Sequence, residues 1–382
     1  MESLMTKRSH DTRRHFLKLT AGAAGASLGS ALIPGFVGNA FAAAAAPTNK
    51  GLIAAAKAEG KLNVIALPPD WANYGKMIAE FSKMYGIKVN SASPDASSAQ
   101  ELQAIKSLKG QSRGPDVVDV GPAFALAGVQ EGLFQPYKVA TWASVPDNMK
   151  DAGGLWWGDY FGVVSFGVNR NVVKNAPQTW ADLLKPEYKG MVALNGSPLG
   201  AGAAFAGVFA ASLANGGSLD NMLPGVEFFA KLAKAGNFNP SDATSASLVS
   251  GQTPIVVNWD YLNIAQAKKE AGKVKIDTII PTDGKPYGGY YCQAISKFAP
   301  NLKAAQLWEE FLMSDAGQLI YLEGYAHPAR FNDMVARGVI PQSLMAELPP
   351  AAAYKEVVFA DKAQTEKAQG VLKADWAKMV KV

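Results

Sequence analysis

Leu62-Asn63-Val64-Ile65-Ala66-Leu67 is a short apolar run. Beyond it Tyr74, Met77, Ile78, Phe81, Met84 and Tyr85 fall at the i, i+3, i+4, i+7 spacing of one helical face, and Ile87 to Ser91 is strand-like again. Strand, helix, strand in that order is a βαβ unit. The alternation continues outward: Leu102, Ile105 and Leu108 mark a second helix, Asp116 to Val120 a third strand, and Ala123 to Glu131 a helix that Gly132 closes. Such alternation predicts α/β architecture, a mainly parallel sheet with helices on both faces.

Between Pro136 and Trp157 the pattern breaks into Pro, Gly and Trp, after which Tyr160 to Val168 reads as a strand that carries the chain into a second lobe. There Met191 to Leu194, Pro254 to Asn258 and Val274 to Ile280 are strands. Ala201 to Leu213, Leu219 to Lys234 and Tyr261 to Ala271 are helices. Tyr290 to Ile295 reads as a return crossing, with a helix carrying Leu302, Leu307, Phe311 and Leu312 beyond it and a helical appendage from Ala351 onward. The expected division is 43–162 for the first part of lobe 1, 163–288 for lobe 2, and 289–382 for the return crossing, completion of lobe 1 and C-terminal helices. A ligand cleft then opens between the lobes at the strand ends, with hinges near Val163 to Val168 and Gly289 to Ile295.

Ahead of all this, Thr12-Arg13-Arg14-His15-Phe16-Leu17-Lys18 precedes a stretch of Ala, Gly and Ser that ends in Asn39-Ala40-Phe41-Ala42-Ala43. A charged start, a mildly apolar middle and small residues at a cleavage site are the plan of a twin-arginine export signal over residues 1–42. The expected product is folded before export, engages the twin-arginine translocon, and ends as a monomeric protein in the periplasm. Lys7, Arg8, Arg13, Arg14 and Lys18 against Glu2 and Asp11 remove three of the formal +5 charges, leaving about +2, a balance that gives no reason to expect nucleic acid. The remaining chain of about 340 residues exceeds what one core usually serves. Cys292 is the only cysteine and His327 the only histidine outside the signal, which excludes an intramolecular disulfide and His-rich or Cys-rich metal sites. No cofactor is expected.

Several stretches carry a resemblance. Gly114-Pro115-Asp116-Val117-Val118-Asp119-Val120, Glu131-Gly132-Leu133, Phe166-Gly167-Val168-Asn169 and Thr179-Trp180-Ala181-Asp182-Leu183-Leu184-Lys185-Pro186-Glu187-Tyr188-Lys189-Gly190 come in order, followed by Ala294-Ile295-Ser296-Lys297, Ala304-Ala305 and Phe311-Leu312-Met313-Ser314. Together they resemble the landmarks of the periplasmic solute-binding proteins of ABC importers, in the group that includes thiamine, polyamine, iron and aminoethylphosphonate binders. The resemblance implies a two-lobed periplasmic binding protein fold of type II-like topology. It also implies capture without chemistry and delivery to a membrane permease driven by an ATPase. The Trp-Ala-Asp-Leu-Leu block identifies the fold without touching a ligand: Thr179 suits a helix N-cap, Trp180 and Leu183 pack, and Lys189-Gly190 turn into the next strand.

Aromatic residues cluster where the chain changes lobes. Trp71 follows Asp70 after the first strand, Trp157 and Tyr160 precede the first crossing, Trp259, Asp260 and Tyr261 follow the strand ending at Asn258, and Tyr290 lies at the return crossing. Core packing competes with ligand contact for each. It is preferred for Trp180, Trp308 and Phe311, whereas Trp71 and Trp259, just past strand ends, are assigned to the cleft. An aromatic face beside a carboxylate suits an organic cation, at about 0.5 to 2 kcal/mol per ring plus charge-assisted hydrogen bonds. The resemblance adds that polyamine and thiamine binders present aromatics at the position of Trp259, whereas ferric binders carry adjacent tyrosines where this chain reads Asn258-Trp259-Asp260-Tyr261. Tyr290 and Tyr291 are adjacent, but strand alternation points them to opposite faces.

Two other classes compete. Asn195-Gly196-Ser197-Pro198-Leu199-Gly200-Ala201-Gly202 lies between a strand and a helix and could cradle a phosphonate or carboxylate on free amides with Ser197 in the site, or its glycines could serve close packing of the Ala-rich helix that follows; Arg170 could reinforce such a site but reads first as a solvated surface arginine. An exported hydrolase is the enzymatic rival. It finds no Gly-x-Ser-x-Gly, no His-Glu-x-x-His and no Cys or His cluster, which leaves only a carboxylate-based version.

Overall fold

The computed structural model describes residues 46–348 and 356–381, so the expected signal over 1–42 lies outside the described residues. The strands, in chain order, are β1 (Lys61–Ile65), β2 (Lys88–Ala92), β3 (Val117–Val120), β4 (Phe134–Gln135), β5 (Trp157–Asn169), β6 (Val192–Leu194), β7 (Ile255–Trp259), β8 (Ile276–Ile279), β9 (Gly288–Ser296) and β10 (His327–Pro328). The helix predicted from the opening periodicity spans Tyr74–Tyr85 and buries Tyr74, Met77, Phe81 and Tyr85. Gly86 ends it in the left-handed region at φ 69°, its amide bonded to Ser82 O.

The expected parallel pairing holds for β1 with β2 and β6 with β7. Pairs built on the two long strands are antiparallel: β3 and β4 on β9, and β7, β8, β9 and β10 on β5. The sheet is mixed for that reason, since strands that run out and back meet their neighbours head to tail. β5 changes partners part-way. Residues Trp157 to Val163 face β9, whereas Val164 to Asn169 face β7 and β8. At that change Gly162 pairs with Gly289.

Each half of the strand system has its own aromatic core. Phe81 packs edge-on to Trp308 at 5.1 Å and beside Phe311 at 5.7 Å, while Trp180 meets Phe166 at 5.0 Å and Phe228 at 5.6 Å. Trp180, Trp308 and Phe311 are therefore core residues. Thr179 Oγ1 accepts from the Asp182 amide at 3.0 Å, and the Asp182 carboxylate accepts from the Gln178 and Thr179 amides. The capping reading of that block holds.

The C-terminal helix, Lys362–Met379, opens with a capping box between Asp361 and Gln364. It touches both halves: Gln369 Nε2 donates to Ala123 O at 2.9 Å, and Trp376 lies against Phe229 and Phe238. Among the described residues no helix is long and apolar enough to cross a membrane.

Candidate functional site

The site is built around a bulge in β5. Its register against β9 shifts between Gly158 and Phe161, so Asp159 and Tyr160, neighbours in sequence, both enter one buried network. Asp119 enters it from β3, Tyr74 from the helix Tyr74–Tyr85, Gln293 from β9 and Tyr321 from the helix Asp315–Glu323. Tyr74 Oη donates to Asp119 Oδ2 (2.8 Å), Tyr160 Oη donates to the same oxygen (3.0 Å), and Tyr321 Oη donates to Asp159 Oδ2 (2.8 Å). Trp71 Nε1 donates to Tyr160 Oη at 2.8 Å. Glu101 lies behind Asp119, accepting from its amide at 3.0 Å.

Among the described residues no lysine or arginine forms an ion pair with these carboxylates. Burial raises Glu101, Asp119 and Asp159 above the ordinary carboxylate range, Asp159 to about 7, and the Asp159 charge adds to the rise at Asp119. Asp119 is 5% exposed, and its Oδ1 is buried with no hydrogen-bond partner among the described residues. Leaving such a carboxylate oxygen unpaired costs on the order of 1–3 kcal/mol or more.

Rings surround it. Tyr160 stacks on Tyr291 (5.7 Å, 13°), Tyr261 meets Tyr160 edge-on (5.6 Å), and Trp71 meets Tyr291 edge-on (5.6 Å) with Trp259 on its other side (6.4 Å). Trp259 and Tyr261 reach this close because glycines lie beneath them. A Cβ at Gly289 would sit 2.1 Å from Trp259 Cη2, and one at Gly162 2.5 Å from Tyr261 Cδ1. Beside the rings, Gly121, Gly202, Trp259, Tyr291 and Phe359 line a cavity of about 20 Å³, room for about one water.

Of the residues assigned from sequence, the structure brings Trp71, Tyr160, Trp259 and Tyr261 to this cluster. Asp260 is buried beside it, but its Oδ1 accepts from the Val163 amide at 2.9 Å, tethering the helix Asp260–Lys269 to the β5 crossing. Four of the assigned residues lie away from this cluster. Asp70 is exposed and pairs with Lys269, because the turn after β1 directs it outward while Trp71 turns in. Trp157 is buried against Trp142 at 5.9 Å, on the far side of the bulge. Tyr290 stacks on Trp156 and donates to Asn148 O, whereas its neighbour Tyr291 carries the site face of β9. Ser197 is an exposed turn residue, and the amides of Gly196, Leu199, Gly200 and Ala201 are already bonded within their own loop. Arg170 is engaged by Asp277.

Sequence reasoning missed Asp119, Asp159, Glu101, Tyr74, Tyr291, Gln293 and Tyr321. Asp119 left a signal: an acid inside the apolar strand Val117-Val118-Asp119-Val120 either finds a partner or marks a site.

The fold is thus a mixed sheet on two long strands, with a ring-lined acidic cluster where they pair. The model of the family described as bacterial extracellular solute-binding protein matches residues 112–348, more than half of the 382, and the chain belongs to that family. A probable ABC transporter periplasmic-binding protein of Sinorhizobium fredii is 28% identical over 160 residues, 41% of this chain and 43% of that relative, so the match spans less than half of its length. Among solved structures, the periplasmic binding protein AfuA of Actinobacillus pleuropneumoniae with fructose-6-phosphate bound is similar at TM-score 0.68, with 18% identity over 85% of this chain and 99% of its own. The spermidine/putrescine substrate-binding protein PotD of Streptococcus pneumoniae is similar at TM-score 0.57, with 17% identity over 84% of this chain and 99% of its own. At these identities the solved structures show the fold alone. The family is one of solute binders and not of enzymes.

Proposed function

We propose that this chain is the periplasmic substrate-binding component of an ABC importer, exported by the twin-arginine route, which captures a small organic cation and delivers it to a membrane permease and its ATPase. The observation that carries the ligand class is the Asp119 carboxylate: buried, with Oδ1 unpaired, ringed by Trp71, Tyr160, Tyr261 and Tyr291, and backed by Asp159 and Glu101 without a lysine or arginine. An ammonium or thiazolium-like group supplies the missing charge, and the rings add about 0.5 to 2 kcal/mol each once water is excluded. The halves of the molecule, divided where β5 changes partners at Val163 and Val164, act as the two lobes, and the solute enters when they part.

The test is a thermal-shift screen of the purified chain against putrescine, spermidine, thiamine, aminoethylphosphonate, simple carboxylates and ferric citrate. A ligand at about a hundred times its dissociation constant adds roughly 2.7 kcal/mol, enough for a shift of several degrees. A response confined to the cations is expected. A response confined to phosphonate, carboxylate or ferric citrate removes the cation assignment.

A further inference from the structure

The hydrogens in the buried network can be counted. Tyr74 Oη lies 2.8 Å from Asp119 Oδ2, 3.1 Å from Asp159 Oδ2 and 3.2 Å from Tyr321 Oη. Tyr160 Oη lies 3.0 Å from Asp119 Oδ2, and Tyr321 Oη lies 2.8 Å from Asp159 Oδ2. With both aspartates ionised, these five oxygen–oxygen contacts draw on three hydroxyl hydrogens. Gln293 supplies no more, since its amide hydrogens go to Tyr74 Oη at 2.9 Å and Asp159 Oδ2 at 2.8 Å. Once Tyr160 and Tyr321 have each donated to an aspartate, the Tyr74 hydrogen serves Asp119 or Asp159 but not both. A carboxylic proton on one of them supplies the hydrogen for the second Tyr74–aspartate contact, which leaves only the longest contact, Tyr74 to Tyr321 at 3.2 Å, without one.

The surroundings favour that proton. The titratable groups facing the pair are Tyr74, Glu101, Tyr160, Tyr261, Tyr291, Cys292, Glu309 and Tyr321, contributed by helices and strands on every side, and each is neutral or acidic. Two carboxylates joined through one phenol in such a place do not both ionise at low cost. The unpaired Asp119 Oδ1 is the independent sign that a positive group belongs here.

We propose that the Asp119–Asp159 pair holds one proton in the ligand-free protein and gives it up when a cation enters, so that capture exchanges a solute cation for a proton. The proton leaves the carboxyl oxygen for solvent, and the freed carboxylate accepts a hydrogen bond from the incoming ammonium or pairs with a ring cation. No other bond changes. This exchange rests on the cation reading of the site. Its consequence is a capture affinity that rises with pH, by up to about tenfold per pH unit while the pair still holds its proton.

Two measurements read it separately. Calorimetric titration with putrescine, spermidine and thiamine, repeated in buffers of different ionisation enthalpy, counts the protons released. Infrared difference spectra of the chain labelled with 13C-aspartate distinguish a protonated aspartate from Glu101 and Glu309. The expected result is a protonated-aspartate carbonyl band that is present before saturation and gone after it, with about one proton released per solute near neutral pH. Asp159→Asn, whose amide can donate to Tyr74, should remove the band and flatten the pH dependence of binding. Absence of the band in the ligand-free chain, or its persistence with a cation bound, overturns the exchange and leaves the cation reading standing. Failure of all three cations to bind, with heat evolved on aminoethylphosphonate or carboxylate, overturns the cation reading and the exchange with it.

Discussion

At the scale of single residues, the proposed capture of a cation rests on Asp119. Asp119→Asn keeps the shape and one acceptor oxygen but removes the charge that a cation would meet. A charge-assisted bond of roughly 1.5–3 kcal/mol translates into a loss of about 10- to 150-fold in cation affinity. Calorimetry reads that loss, and unchanged affinity would take Asp119 out of the site. The companion residue, Asp159, gives a prediction about pH. Burial pushes it up to about 7, so the native state keeps a proton that the unfolded chain releases above its ordinary value near 3.8. Asp159 therefore contributes stability that is full at low pH and is lost as pH rises from about 4 to about 7. His327, pushed down to about 4 by burial, slopes the opposite way over much of that range, so the wild-type profile alone is ambiguous. The informative quantity is the urea midpoint of Asp159→Asn relative to wild type, which should climb between pH 4 and pH 7 and then level off. A flat difference would show that Asp159 titrates normally.

At the scale of elements, the loop that carries Trp71 is held in an unusual backbone. Ala66 (φ 58°), Ala72 (φ 44°) and Asn73 (φ 65°) all lie in the left-handed region, and none is glycine. An alanine there costs roughly 1–2 kcal/mol, which Gly avoids at an entropic cost of about 0.5–1 kcal/mol. Ala66→Gly, where the methyl is only partly buried, should therefore stabilise the ligand-free chain by up to about 1 kcal/mol, read from its denaturant midpoint, and a loss of stability would refute the strain. This loop also shows where the sequence was legible. Trp71 could be assigned because it follows a strand end, a position set by topology, and the helix Tyr74–Tyr85 could be bounded because its periodicity and closing Gly86 are local. The acid–tyrosine network could not, because it depends on a bulge that places Asp159 beside Tyr160 against strand alternation, and on the helix Asp315–Glu323, which brings in Tyr321 across a long sequence separation. Direction of pairing was illegible for a similar reason: alternation of strands and helices does not say that the two longest strands run against their neighbours.

At the scale of the whole molecule, the C-terminal segment is attached to both halves of the strand system, where it would restrain the proposed parting of the lobes. Val358 pairs with Tyr287, the Gly288 amide donates to Val358 O at 2.9 Å, and Phe359 packs on Phe161 at 5.7 Å, beneath the crossing where Gly162 meets Gly289. A Cβ on Gly288 would lie 2.5 Å from the Phe359 ring, so the ring seals the backbone of the return strand directly. From there the helix Lys362–Met379 reaches Ala123 in one half and Phe229 in the other. A strap fixed at the crossing and at both halves favours the arrangement in which all three attachments are made, which is the ring-closed form described above. Loosening it should raise the population of open molecules, and every open molecule lowers the apparent affinity in proportion to the closed fraction lost. Phe359→Ala is the substitution to make, since it removes the wedge and leaves Asp119, the rings and the helix in place. Small-angle scattering of the ligand-free variant should give a larger radius of gyration than wild type, saturating cation should restore the wild-type value, and the dissociation constant should rise by about 5-fold or more, the lower range for coupling through a conformational equilibrium. An unchanged radius together with unchanged affinity would mean that the strap rides on one half, and that closure is governed by the two crossing strands alone.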